Sequence, residues 1–206
     1  MQHGGMDPRQ FWDTTAPRYD SAISLLERRF MGWGRRRTAP LARGRVLEIG
    51  IGTGANLPFY DREVELVGTD ISQAMLDEAA GKLDRAPSRV QLKRASAVDL
   101  PFADGEFDTV VASYVMCCVP DLDQALAEAV RVLKPGGDLL LADHVVSPNR
   151  LVRLGQKALE FFTVRAADEH FTRRPLDRLT GLEVVSTGRH TFGVMEWVHA
   201  RKPLDG

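Results

Sequence analysis

The sequence predicts one α/β domain with a mostly parallel, seven-stranded sheet, helices on both faces and an antiparallel final strand. Three observations support this prediction. Strand-like and helix-like segments alternate through the middle of the 206-residue chain, and the segment FDTVVAS is apolar enough to be buried on both faces. Two strand-like segments close the chain without a helix between them, so one of them should run antiparallel.

The first half of the chain predicts four strands. RVLEI is the first, and it leads into a glycine-rich turn at residues 50–54 and a short helix at residues 55–60. VELVGTD is the second strand, and SQAMLDEAAGKL after it has helical spacing with Ser72 as the N-cap. VQLKR and FDTVVAS complete the four.

The second half predicts a helix and three further strands. DLDQALAEAVRVL is strongly amphipathic, and Pro135 with the two following glycines should end that helix. DLLLADH predicts the fifth strand. An irregular or helical segment at residues 147–179 precedes EVVSTG and VMEWVHA, which predict a closing hairpin. The first residues, MQHGGMD, are expected to be disordered or vector-derived.

The composition excludes several classes of protein. The formal net charge of -1 argues against a dedicated nucleic-acid binder, so no nucleic-acid partner is expected. Cys117 and Cys118 are the only cysteines and make neither a disulfide framework nor a zinc site, which favours a reducing cytoplasm. The sequence has no recognisable signal peptide and no apolar run of bilayer-spanning length, so any membrane contact should be peripheral.

The stretch RVLEIGIGTGANLPFY predicts a turn that holds an anionic or nucleotide-like cofactor. Read as GxGxxA from Gly50 to Ala55, it matches the dinucleotide fingerprint of an NAD-dependent oxidoreductase. Read as ExGxGxG from Glu48 to Gly54, it is typical of a turn that holds S-adenosylmethionine. Asp70 follows Gly50 by 20 residues, a spacing at which a carboxylate accepts hydrogen bonds from ribose hydroxyls. Both cofactors carry a ribose, so this stretch leaves the choice open.

Longer segments favour the second reading. Four segments occur in this order within residues 46–143: VLEIGIGTGAN, VGTDISQAMLDEA, DLPFADGEFDTVVASYVMCCVPD and ALAEAVRVLKPGGDLLLAD. In them the chain resembles the class I S-adenosylmethionine-dependent methyltransferases, particularly the branch with the ubiquinone and menaquinone methylases. The resemblance implies a Rossmann-like fold, S-adenosyl-L-methionine as the cofactor and S-adenosyl-L-homocysteine as its product. It also implies a helical cap at residues 1–44, a cofactor-binding core at 45–143, and an acceptor-side insertion with the closing strands at 144–206.

The resemblance also implies a set of cofactor-binding residues. The glycines would let the backbone pass close to the methionine portion, and Asp70 would accept hydrogen bonds from the ribose hydroxyls. Ser96 and Ala97 stand where many relatives have an aspartate that accepts from the adenine amino group, which is a departure from the family pattern. The full set is Glu48, Gly50, Gly52, Gly54, Asn56, Asp70, Ile71, Met75, Ser96, Ala97, Ser113 and Tyr114.

Two residues are predicted to be catalytic. FWDTTAPRYD resembles the segment that folds over the cofactor in quinone and phospholipid methylases, so Tyr19 is expected to close the site. Alternatively, its aromatic residues only dock the first helix on the sheet. His144, at the end of the fifth strand, is the best-placed proton acceptor near neutral pH, or else a structural histidine. No metal is expected.

The acceptor is predicted to be small or amphiphilic. GTGANLPFY, VMCCVPD and ADHV resemble the bacterial phosphatidylethanolamine N-methyltransferases and the animal alkyl-thiol methyltransferases, so a phospholipid amine leads, followed by a thiol and a quinol. Two segments, LLERRFMGWGRRR and RLVRLGQKALEFFTVR, mix apolar and basic residues. Residues 23–37 and 150–165 are therefore expected either to lie on the anionic inner surface of the membrane or to cover the sheet. An NAD-dependent oxidoreductase and a non-catalytic cofactor-binding subunit remain alternatives.

Overall fold

The computed structural model describes residues 7–87, 89–167 and 170–204 and contains one seven-stranded sheet. The strands are β1 (Arg45–Ile49), β2 (Glu65–Asp70), β3 (Arg89–Arg94), β4 (Phe107–Ser113), β5 (Leu133–His144), β6 (Glu183–His190) and β7 (Met195–Arg201). They lie in the order β3-β2-β1-β4-β5-β7-β6. Strands β1 to β5 pair in parallel, and β7 is antiparallel to both β5 and β6. The predicted mostly parallel sheet with an antiparallel final strand is therefore confirmed.

Helices connect the strands and extend the chain at its amino-terminal end. They are α1 (Pro8–Leu26), α2 (Gly32–Thr38), α3 (Gln73–Ala80), α4 (Leu122–Val132) and α5 (Arg150–Ala167). A π-helical turn, Glu27–Met31, joins α1 to α2. The predicted N-cap is confirmed, because Ser72 Oγ accepts a hydrogen bond from the amide of Met75 at 3.2 Å. Within the described parts of the chain, none of the helices combines the length and the apolar character needed to cross a membrane.

The central strands are buried on both faces. Consecutive residues of one strand belong to different hydrophobic clusters, as in Leu139 and Leu140 of β5 or Val110 and Val111 of β4. This alternation is expected of a sheet with helices on each side. Each of these buried aliphatic side chains contributes about 1.5–3 kcal/mol to folding.

Two local predictions were wrong. Helix α4 ends at Val132, within one residue of the predicted segment, but the KPGG segment, which was predicted to be the stop and turn after it, belongs to β5. There the amide of Gly136 donates to the carbonyl of Lys202 and the amide of Lys202 donates to that of Gly137, so pairing with the C-terminal segment satisfies the backbone. The helix predicted at residues 55–60 is a single 3₁₀ turn, Leu57–Phe59.

The two regions with the least definite predictions differ in outcome. The segment predicted to be irregular or helical contains the 18-residue helix α5 and a 3₁₀ turn, Pro175–Arg178. Of the segment expected to be disordered, residues 1–6 lie outside the described residues. Asp7 is ordered, and its side chain caps α1 by accepting from the amide of Arg9 at 3.0 Å.

Candidate functional site

A cavity of about 360 Å³ lies at the carboxyl ends of β1, β2 and β4. The strand order reverses between β1 and β4, and the crevice at such a switch point is where open α/β sheets bind ligands. The volume falls within the range of small-molecule sites. Predicted site residues that line the cavity are Tyr19, Gly50, Gly52, Asp70, Ile71, Met75, Ser96, Ala97, Ser113 and Tyr114. The four others, Glu48, Gly54, Asn56 and His144, lie outside its lining.

The glycine turn after β1 forms one wall of the cavity. Gly52 has a φ of +55°, and a Cβ built on it would meet no atom within 4 Å. Gly50 has a φ of +66°, but a Cβ there would lie 2.4 Å from Cγ2 of Val115. Glycine is therefore required at position 50 by packing as well as by backbone conformation, whereas at position 52 its absence of a side chain leaves space for a ligand.

Asp70, the last residue of β2, is bonded to the glycine turn. Its Oδ2 accepts from the amide of Gly52 and its Oδ1 from the amide of Ser72, each at 2.9 Å. Burial raises the pKa of Asp70, and these backbone hydrogen bonds oppose that rise. Each carboxylate oxygen has a further lone pair, so Asp70 can still accept hydrogen bonds from ligand hydroxyls.

Below the turn, a buried polar network surrounds Glu48, which is 1% exposed. Glu48 accepts one hydrogen bond from Nδ2 of Asn56 and one from the hydroxyl of Tyr60, both at 2.8 Å. The Nδ2 of Asn56 also donates to Oγ of Ser113 at 3.0 Å. Burial raises the pKa of Glu48 to about 7. Glu48 thus supports the floor of the cavity and contacts it through its neighbours.

Helix α1 covers the cavity and is attached to the core by polar contacts. Oγ of Ser72, at the start of α3, donates to Oδ1 of Asp13 at 2.5 Å. Thr53, in the glycine turn, donates to Asp20 at 2.6 Å, and Lys82 forms an ion pair with the same carboxylate. These contacts bring Tyr19 into the cavity lining together with Trp12, whose ring lies 6.0 Å from that of Tyr19.

His144 lies behind the cavity, packed among aromatic rings. Its ring centroid is 5.1 Å from that of Tyr114 and 5.4 Å from that of Phe171. Its Nδ1 is buried and has no hydrogen-bond partner among the described residues. Burial lowers the pKa of His144 to about 4, and the charge of Arg35 contributes to the shift. The imidazole is therefore neutral at physiological pH.

One group of three residues in the described part of the chain has donor atoms spaced closely enough for a metal ion: Cys117, Asp143 and His144. Asp143 already accepts hydrogen bonds from the amides of Cys117, at 3.2 Å, and of His144, at 2.8 Å. Burial raises its pKa to about 7. These features give the carboxylate a structural role between β4 and β5, and the expected absence of a metal stays a prediction.

Arg35 is a cavity residue that the sequence analysis missed. It was grouped with the solvent-exposed arginines of residues 23–37, yet it is 6% exposed and lines the cavity. In the structure the buried residues Met31, Gly34, Arg35 and Thr38 follow the i, i+3, i+4, i+7 spacing of one helix face, but only Met31 is a large apolar residue, so the sequence carries no apolar pattern that marks this face. Its neighbour Tyr114, in the lining, has a φ of +59° and donates from its hydroxyl to the carbonyl of Met31 at 2.7 Å.

Comparison with known proteins gives consistent results. Residues 47–141 match the family model described as "Methyltransferase domain". The chain is 37% identical to a phosphatidylethanolamine N-methyltransferase of Cereibacter sphaeroides over 62% of this chain and 66% of the relative. It is 36% identical to a ubiquinone/menaquinone biosynthesis C-methyltransferase of Syntrophotalea carbinolica over 72% of this chain and 65% of the relative. The matches therefore span just under two thirds of these relatives' lengths.

A solved structure shares the fold. The crystal structure of an S-adenosylmethionine-dependent methyltransferase from Thermotoga maritima superimposes with a TM-score of 0.71 and covers 94% of this chain and 99% of its own. The sequences are 23% identical. At this identity the likeness establishes the shared architecture.

Proposed function

Because this chain carries the methyltransferase domain of the S-adenosylmethionine-dependent methyltransferases, we propose that it methylates the amine of an ethanolamine phospholipid. The observation that carries the proposal is the covered cavity at the switch point of the sheet, with Gly52 and Asp70 in its wall. Methyl transfer requires the acceptor to be aligned with an already activated methyl group and water to be excluded. A cavity partly covered by the helical cap is suited to both tasks.

The residues of the cavity fit S-adenosylmethionine. Asp70 would accept hydrogen bonds from the ribose hydroxyls, and Ile71 and Met75 offer apolar surface for the adenine. The open space at Gly52 leaves room for the ligand to approach the backbone. When bound, the cofactor supplies a methyl group on a sulfonium, which needs no metal for its transfer.

The two predicted catalytic residues receive different roles in this proposal. Tyr19 lines the cavity and would close it over the bound acceptor. His144 is neutral, because its pKa is lowered to about 4, and its buried Nδ1 has no hydrogen-bond partner among the described residues. Its ring lies behind Tyr114 and outside the cavity lining, and its low pKa makes it a weak base, so in this proposal His144 supports Tyr114 and takes no proton from the acceptor amine.

Exposed leucines on two helices support an amphiphilic acceptor. Four leucines at the end of α1 and the start of α5 are exposed: Leu25 (73%), Leu26 (52%), Leu151 (81%) and Leu154 (68%). Helices α1 and α5 contact one another, and the exposed residues Arg28, Arg29 and Arg150 accompany the leucines. Basic surfaces with exposed leucines bind anionic membranes. We propose that this leucine–arginine surface contacts the membrane that holds the acceptor.

The test uses methyl-labelled S-adenosylmethionine with vesicles of phosphatidylethanolamine, prepared with and without phosphatidylglycerol. We expect label on the lipid amine, and a faster rate when the anionic lipid is present. Alkyl thiols and quinols are tested in parallel as acceptors. Quinols are included because one relative is a ubiquinone/menaquinone biosynthesis C-methyltransferase. Label that reaches only a thiol or a quinol would overturn the lipid-amine assignment and leave the methyltransferase assignment intact.

A further inference from the structure

Arg35 is distinguished from the neighbouring arginines by its burial. Arg36 and Arg37, the next two residues of α2, are exposed, whereas Arg35 points inward and is 6% exposed. Its guanidinium lies over the ring of Tyr114, 5.0 Å from the centroid. A buried guanidinium is costly unless it is paired and hydrogen-bonded. Its position therefore needs partners.

Two of the nitrogens of Arg35 have partners within the protein. Nε donates to Oε1 of Glu27 at 2.9 Å, and Nη1 donates to Oδ1 of Asn56 at 3.1 Å. A guanidinium carries five N–H groups in a planar fork, so donors remain beyond these two bonds. Among the described residues the Nη2 atom has no hydrogen-bond acceptor, and Arg35 is part of the cavity lining. Free N–H groups of a fixed cation therefore lie at the wall of the site.

The fork is held from two directions. Glu27 belongs to the turn between α1 and α2, so it attaches Arg35 to the cap. Asn56 belongs to the network of Glu48 and Ser113 below the cavity, so it attaches Arg35 to the sheet. A guanidinium fixed in this way is pre-organised for a planar anion, since carboxylates match its geometry bidentately.

We propose that Arg35 binds the α-carboxylate of the methionine portion of S-adenosylmethionine. The inference rests on the proposed use of this cofactor and adds a specificity determinant to it. Arg35 would discriminate in favour of the cofactor and its product, which carry the carboxylate, and against adenosine thioethers that lack it. Because Glu27 lies in the cap, the same contact would make closure of the cap part of cofactor binding.

The experiment measures dissociation constants by calorimetry for the wild type and for Arg35→Gln. The ligands are S-adenosylhomocysteine and 5′-methylthioadenosine, which lacks the amino-acid portion, together with decarboxylated S-adenosylmethionine, which lacks only the carboxylate. We expect Arg35→Gln to weaken S-adenosylhomocysteine binding by about 10- to 100-fold, the value of a charge-assisted hydrogen bond. Binding of the two ligands without a carboxylate should change less than about threefold. Arg36→Gln, an exposed neighbour, is the matched control and should bind all three ligands as the wild type does.

Arg35→Gln leaves the half-buried Glu27 without its ion-pair partner, so a second variant is included. The double variant Glu27→Gln/Arg35→Gln removes both charges, and it should show the same ligand-selective loss. Arg35→Lys should recover part of the affinity for S-adenosylhomocysteine, because it keeps the charge but not the fork. Equal losses for all three ligands would overturn the proposal by making Arg35 a structural residue. The readout needs no turnover, so a selective loss supports the proposal even if no lipid is methylated.

Discussion

The amide of Gly52 donates a hydrogen bond to Oδ2 of Asp70 across 2.9 Å and thereby joins the glycine turn to the end of β2. The other carboxylate oxygen accepts from the amide of Ser72, so the cap of α3 belongs to the same unit. The turn, the second strand and the third helix are thus held together around the cavity. This unit is the basis of the first two predictions.

Asp70→Asn is expected to weaken binding of S-adenosylhomocysteine by about 10- to 100-fold, because an amide loses one accepting oxygen and the charge. Asparagine can accept from only one of the two backbone amides that Asp70 binds, so the free energy of unfolding should also fall, by about 1–3 kcal/mol. Calorimetric titration and a melting curve measure the two effects. The exposed Asp84→Asn, on the 3₁₀ turn after α3, is the control and should leave affinity unchanged. Unchanged affinity in Asp70→Asn would contradict the assigned ribose contact.

Gly52→Ala can be paired with Gly181→Ala. Both glycines have positive φ, +55° and +70°, and a Cβ at either would meet no atom within 4 Å. Each substitution should therefore cost roughly 1–2 kcal/mol of stability through the backbone alone. Only Gly52 lines the cavity, so Gly52→Ala should also weaken cofactor binding at least about tenfold. Equal affinities in the two variants, measured by calorimetry, would show that the turn is not in contact with the cofactor.

The raised pKa of Glu48 leads us to expect that the stability of the protein depends on pH. Burial raises this pKa to about 7 from the ordinary value of 4.5, so the folded protein binds the proton more tightly than the unfolded chain. Its stabilising contribution is complete below about pH 4.5 and is lost as pH rises through 7. Glu48→Gln removes this loss. The free energy of unfolding of Glu48→Gln relative to the wild type should therefore rise by about 2 kcal/mol between pH 5 and pH 8.

Urea unfolding of both proteins at a series of pH values measures this difference. Asp143 has a similarly raised pKa but is present in both proteins, so its contribution cancels. A difference that stays flat from pH 5 to pH 8 would mean that Glu48 titrates at an ordinary pKa in the folded protein.

The leucine–arginine surface predicts binding to vesicles. Leu151→Ser/Leu154→Ser should reduce sedimentation with phosphatidylglycerol-containing vesicles at least about tenfold, because each buried leucine contributes about 1.5–3 kcal/mol. Binding of S-adenosylhomocysteine should be unaffected. Leu204→Ser is the control, since Leu204 is 77% exposed and lies beside Gly136, far along β5 from His144 at the cavity end. Similar vesicle binding by the wild type and the double variant would contradict the proposal that the leucine–arginine surface contacts the membrane.

Much of the architecture could be predicted because local signals agree with the final structure. The buried strands are apolar without interruption, and Ser72 and Asp70 occupy positions where one physical role dominates. The KPGG segment was misread because its proline and glycines indicate a helix stop, whereas pairing with Lys202, 65 residues or more away, makes it a strand. Pairing between residues so far apart in the chain cannot be predicted from the local sequence.

The candidate site was predictable to a similar degree. The residues after β1, β2 and β4 could be assigned because the carboxyl ends of parallel strands meet at one edge. Arg35 was missed because an arginine in a run of arginines is normally solvated. Its burial depends on Glu27, on Asn56 and on the ring of Tyr114, which come from three different parts of the chain. His144 was assigned to the cavity from its strand position, but its ring packs behind Tyr114.

The most direct test of the account is a crystal structure of the protein with S-adenosylhomocysteine. We expect the ligand to occupy the cavity at the switch point, with its ribose hydroxyls on Asp70 and its carboxylate on Arg35. A ligand bound outside this cavity, or bound in it with its ribose away from Asp70, would contradict the assignment of the site.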